Sequence, residues 1–185
     1  MKLPPRAQFL LIAALFVAPI VASTLAYFYG GQKPTANHGE LLLPPALASQ
    51  QSFARASGKQ FEFSELRGLW VLVATDSGAC PASCIDKLTA MRQVRLALGR
   101  DAERVTRVLV ADDAIAPDAA ALAPFEGMQI VVAPPGGALA PGASDHDHVY
   151  LVDPNGNVMM RWRVQDNPRG MLKDLERLLK ASQIG

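Results

Sequence analysis

The chain has 185 residues, half of them hydrophobic and few aromatic, which fits one ordinary domain plus an appendage. Its 18 basic and 17 acidic side chains leave a formal charge of +1, so there is no basic field of the kind that grips nucleic acid. Nucleic acid is excluded as an expected partner.

The N-terminus "MKLPPR" carries Lys2 and Arg6 and leads into an uncharged run from Ala7 to Gly30. A helix of roughly 20 apolar residues spans a bilayer core. The positive charges lie on the expected cytoplasmic side, and Tyr27 and Tyr29 lie where interfacial aromatics sit. Pro19 kinks such a helix without forbidding it. Ala22 and Ala26 make poor cleavage sites, so residues 1–30 read as an uncleaved single-pass anchor rather than a signal peptide. Either reading sends the rest of the chain out of the cytoplasm. The expected location is a bacterial-type inner membrane with the C-terminal domain in the periplasm, an oxidising compartment in which disulfides persist.

Residues 31–57 mix turn formers with short apolar clusters and read as a tether lying partly on the domain that follows, residues 58–185. "KQFEFSELRG" alternates like an edge hairpin, and "LWVLVATD" suits a strand buried on both faces. The only two cysteines, Cys80 and Cys84, follow at once. After them Ile85, Leu88, Met91, Val94 and Leu98 recur at helical spacing, with Gly99 as the stop. "RVTRVLVAD" is a second buried strand, while the stretch "GRDAERVTR" as a whole reads as a solvated connection. A short helix over residues 117–125 and a strand "MQIVVAP" come next, followed by a Pro- and Gly-rich loop, residues 134–147, long enough to carry function. "HVYLVDP" and "NVMMRWRV" form a hairpin about a Pro-Asn-Gly turn. A closing helix has Met171, Leu172, Leu175, Leu178 and Leu179 along one stripe. This order predicts a mixed sheet covered by helices, of α/β class.

Cys80-Pro81-Ala82-Ser83-Cys84 puts two thiols four residues apart at a helix N-terminus, where both can point at one spot and where the thiolate is favoured. That geometry admits a disulfide or a metal chelate. The order of elements looks like a thioredoxin fold, and "CPASC" after "LRGLWVLV", with the hairpin "YLVDPNG", resembles the Sco/SenC family over roughly residues 58 to 181. The resemblance implies a membrane-anchored copper protein of cytochrome c oxidase assembly. Its partner would be a respiratory oxidase subunit or another apo-metalloprotein.

Two soft thiolates and an imidazole suit both Cu(I) and Cu(II), so the expected ligands are Cys80, Cys84 and one histidine. Of His38, His146 and His148, the last pair stands at the mouth of a strand. In the Sco family the ligand lies slightly upstream of both, which favours His146. Counting back from Gly156 puts His148 where a thioredoxin fold faces its cysteine loop, so the order of expectation is His148, then His146. Met159 and Met160 are soft but read as a strand pair with one side chain in the core, and Asp76 and Pro81 as loop-shaping residues. Two other readings stay open. In one, Cys80 and Cys84 are the attacking and resolving thiols of an oxidoreductase that keeps an apo-metalloprotein reduced. In the other, the disulfide is structural in a non-catalytic scaffold.

Overall fold

The computed structural model describes residues 4–29, 37–48, 52–55, 57–113, 115–140, 142–143, 145–163 and 168–182. The remainder of the segment read as a tether, residues 31–36, 49–51 and 56, lies outside the described residues, as does the side chain of Tyr29. The chain divides into two compact units, residues 1–36 and 37–185.

In the first unit, α1 (Pro5–Tyr29) runs through Pro19 without a break. Its stretch Pro5–Phe28 has a mean hydropathy of 2.5 and is long and apolar enough to cross a membrane. Phe9, Leu15, Phe16 and Ile20 all stand exposed, which suits a surrounding of lipid rather than water.

The second unit is built on one mixed sheet with strand order β1-β8-β7-β4-β5-β6-β2-β3. These strands are β1 (Glu40–Leu47), β2 (Phe53–Arg55), β3 (Gln60–Phe61), β4 (Trp70–Asp76), β5 (Val105–Ala111), β6 (Gln129–Val132), β7 (His148–Val152) and β8 (Asn157–Arg163). β4, β5 and β6 run parallel, and β7 lies antiparallel to both β4 and β8. β4 is buried along its whole length, as its unbroken apolar run requires of a central strand. In β8 burial alternates, with Val158, Met160 and Trp162 inward.

The helices are α2 (Ala82–Ala97), α3 (Ala119–Leu122) and α4 (Pro168–Ala181). α2 and α4 cover one face, where Leu88, Met91, Val94, Met171 and Leu175 meet Leu72, Leu109, Val149 and Leu151. The opposite face gathers Val73, Val108, Tyr150 and Val158 beneath three edge-to-face rings, Phe53, Phe61 and Phe63. Part of the long Pro- and Gly-rich loop folds down here as well, burying Leu139, Ala140 and Ala143. It serves as a cover and not merely as an open connector.

The segment read as a tether supplies two strands. β1 pairs with β8 at one edge, and β2 pairs with β6 and β3 towards the other. What fixes β1 is a carboxylate on α4. Asp174, 1% exposed, accepts from the amides of His38 (2.9 Å) and Gly39 (2.8 Å) and from Trp162 Nε1 (3.0 Å). Gly39 is required there, because a Cβ would overlap the Trp162 ring.

Candidate redox and metal centre

The parallel strands β4 and β5 end side by side at Asp76 and Ala111, and the cysteine loop leaves from that end. Asp76 Oδ1 accepts the Ser77 amide (2.9 Å), Ser77 Oγ accepts the Ala79 amide (3.1 Å), and the Cys80 amide returns to the Ser77 carbonyl (3.0 Å). Gly78 lies so close to the Ile115 carbonyl that any Cβ would overlap it, and its amide reaches Asp113 Oδ1 (3.0 Å). The Ser77 hydroxyl and the Gly78 amide together hold the Asp113 carboxyl below its usual value. Cys80 then takes φ 43°, a left-handed conformation uncommon outside glycine, which turns the chain into α2 at Pro81.

Cys80 and Cys84 form a disulfide, with Cα atoms 5.1 Å apart. The spacing therefore closes into a bond, the first of the two options the sequence leaves open. Cys80 is 5% exposed and Cys84 fully buried in the helix-side core. With both sulfurs so joined, no group of three His, Cys, Asp or Glu side chains among the described residues is arranged to hold a metal ion.

Beneath the bond is a charged pair that sequence reasoning missed. Lys87, one turn beyond Cys84, is completely buried and reaches Asp76 Oδ2 at 2.6 Å. Its remaining protons go to the carbonyls of Thr75 (2.9 Å) and His146 (2.6 Å). A buried ammonium survives only when paired and hydrogen-bonded, and here all of its partners are supplied. In the sequence Lys87 looks like one more polar residue of an amphipathic helix. The signal was an aspartate at the last position of a buried strand, which calls for a cation.

The Lys87 contact also holds the His146 backbone to the cysteine end of the sheet. The His146 ring places Nε2 2.9 Å from Asp112 Oδ2 and Nδ1 3.9 Å from Asp76 Oδ1. The hydrogen bond from Nε2 to Asp112 fixes the tautomer with an unprotonated Nδ1, whose lone pair can serve a metal because Asp76 Oδ1 lies beyond hydrogen-bond distance.

His148, the first expectation, stands elsewhere. Along β7, Val149 and Leu151 face the helix side with the cysteines, whereas Tyr150 and Val152 belong to the opposite face. The period of two puts His148 with Tyr150, their ring centroids 6.2 Å apart. Its Nδ1 bonds Asp145 Oδ1 at 2.6 Å, and Tyr150 donates to Asp145 Oδ2 at 2.7 Å. Burial pushes the Asp145 carboxyl up, but these hydrogen bonds outweigh it and hold the group below its usual value. The structure thus brings His146 to the cysteine end and joins His148 to a separate Asp145–Tyr150 network. His38 packs against Gly170 of α4, Met160 lies in the core, and Met159 packs partly buried against it.

A family model described as "transmembrane-like, thioredoxin-like, C-terminal domain" matches residues 70–182. No curated protein matches the sequence. Among solved structures the chain is similar to copper-bound ScoI of Bradyrhizobium japonicum, at 21% identity and TM-score 0.57 over 71% of this chain and 99% of that one. It is similar to apo Sco1 of Thermus thermophilus, at 19% identity and TM-score 0.64 over 77% and 97%. It also matches the thioredoxin domain of a thiol-disulfide oxidoreductase from Bacteroides vulgatus, at 16% identity and TM-score 0.59 over 75% and 99%. At these identities the likeness establishes the fold, a thioredoxin-like mixed sheet.

Proposed function

Because the chain belongs to the transmembrane-like, thioredoxin-like C-terminal domain family, we propose that it is a membrane-anchored copper-binding assembly factor acting on the periplasmic side of a bacterial-type inner membrane. Residues 1–30 would be the anchor. The client would be a respiratory oxidase subunit or a related apo-metalloprotein, as the resemblance to Sco/SenC proteins implies.

The observation that carries the reading is the convergence of Cys80, Cys84 and a carboxylate-held His146 at one end of the sheet. Reduction of the disulfide frees two thiolates at the N-terminus of α2, which favours their charge. With the Nδ1 of His146 they make a Cys₂His donor set, soft enough for Cu(I) and nitrogen-bearing enough for Cu(II). Bound copper would be the cargo. Asp112 orients the imidazole, and Lys87 fixes both the strand end and the His146 backbone. This reading exchanges the order expected from the sequence and puts His146 ahead of His148.

The test is an anaerobic Cu(I) titration of the reduced full chain in detergent against a competing chelator. One-to-one binding is expected, abolished in Cys84→Ser, weakened in His146→Ala by at least the roughly 10- to 100-fold typical of losing a group that merely orients a ligand, and unchanged within about threefold in His148→Ala. An intact reduced chain that fails to compete for copper refutes the proposal.

The disulfide itself, at the N-terminus of α2, supports a second reading, thiol–disulfide exchange on an apo-metalloprotein. The Cys80 thiolate attacks a client disulfide, expelling one client thiolate. Cys84 then displaces the other client sulfur from Cys80, leaving the client reduced by two electrons and the chain oxidised. A reduction potential well above about −300 mV favours exchange, and one below it a structural bond.

A further inference from the structure

Away from the cysteines, near the start of β5, the helix-covered face holds an arginine where the core pattern calls for an apolar residue. Arg107 stands in the parallel register beside Leu72 and is only 4% exposed. One guanidinium nitrogen donates to the Glu126 carbonyl at 2.7 Å, while Nε and Nη1 are buried with no acceptor among the described residues. Two further arginines stand over it. Arg92 and Arg95, three apart on α2, line with Arg107 a cavity of about 400 Å³. Arg95 spends its Nε on the Val105 carbonyl at 2.7 Å. Glu126 also lines the cavity, yet among the described residues no carboxylate forms an ion pair with any of the three guanidinium groups.

A buried cation that faces two like charges and keeps unsatisfied donors is a costly arrangement. Burial, with the fields of Arg95 and Arg92 added, lowers the Arg107 pKa from its ordinary value. Such a cluster is the usual complement of an oxyanion, whose oxygens match guanidinium geometry and supply the missing charge. Three guanidinium groups suit a phosphate group better than a single carboxylate. The cavity exceeds a bare phosphate, and its other walls, Leu96, Ala123 and Pro124, are apolar.

We propose that Arg92, Arg95 and Arg107 form a binding site for a phosphate group carrying a small apolar portion, separate from the cysteine centre. A phospholipid headgroup and a small soluble phosphate ester share this chemistry.

The test follows thermal unfolding of the full chain in an uncharged detergent as inorganic phosphate replaces chloride at constant ionic strength. The wild-type midpoint should rise and saturate, since a ligand of the native state alone stabilises it by mass action. Arg92→Gln should weaken the apparent affinity about 10-fold or more. Arg107→Met should abolish the response while melting at or above the wild type without phosphate, because it removes an uncompensated buried charge. If Arg107→Met does not fold, the double variant Arg92→Gln/Arg95→Gln takes its place and should be equally unresponsive. A midpoint that phosphate leaves where chloride does, or an equal rise in wild type and variants, overturns the proposal. The source is identified by repeating the titration in nanodiscs of phosphatidylglycerol. Loss of the response there means that lipid already fills the site, and persistence means a soluble phosphate ligand.

Discussion

Replacing Asp174 with alanine should be among the most damaging single changes in the second unit. Its carboxylate accepts from two backbone amides and one indole in a place almost without solvent, so the substitution leaves three donors without an acceptor. A buried donor left unmade costs about 1–3 kcal/mol, and the His38 amide, only part-buried, recovers some of this in water. The expected loss is about 3–5 kcal/mol. That is a large share of the ~5–15 kcal/mol that holds a domain folded. For a chain of this size it corresponds to a drop in melting midpoint of roughly 6–20 °C. Unfolding of the full chain in detergent, followed by tryptophan fluorescence, reads both the midpoint and the environment of Trp162. Asp174→Asn, which keeps one acceptor oxygen, should fall between. A loss below about 1 kcal/mol for the alanine variant would show that the three contacts do not hold β1 in place.

Lys87→Met should cost about 3–5 kcal/mol by leaving the Asp76 carboxylate buried and alone, and Asp76→Asn in the same chain should recover most of it, measured by the same unfolding assay. Equal losses in the single and double variants would contradict the pairing. Tyr150 is fully buried, and its hydroxyl pKa is pushed up to about 12, first by burial and then by its hydrogen bond to Asp145. The folded state therefore holds this proton more tightly than the unfolded one. The contribution is complete below pH ~10 and lost as pH rises to ~12, a fall of about 2–3 kcal/mol that Tyr150→Phe should abolish in a pH series of melting midpoints.

Much of this fold was legible because its signals are local. The all-apolar β4, the helical stripe of α2 and the Asp-Pro-Asn-Gly turn between β7 and β8 each follow from neighbouring residues. β1 was not legible. Its sequence ELLLPPAL contains two prolines and no alternation, and it becomes a strand through pairing with β8 and through the bonds of Asp174 to the preceding residues. Arg107 escaped notice for the opposite reason, since a charged residue in a mixed acidic and basic stretch reads as solvated until a helix is seen to lie over it. At the candidate site the cysteines were readable from spacing. The different surroundings of the two histidines were not, because positions 146 and 148 share a parity in the sequence, and only the structure shows that His148 opens β7 beside Tyr150 while His146 lies in the preceding loop with its carbonyl held by Lys87.

The hold of Asp174 on residues 38 and 39 spans up to 136 positions of sequence, and β1 pairs with β8, with Glu40 opposite Arg161. The first strand of the second unit therefore has nowhere to dock until nearly the whole chain has emerged. Closure of so long a loop is slow. During synthesis β1 must then wait with an unpaired edge until β8 and α4 arrive. Synthesis and final assembly of the sheet are coupled in time, and the interval between them leaves an unpaired strand edge open to proteases and chaperones.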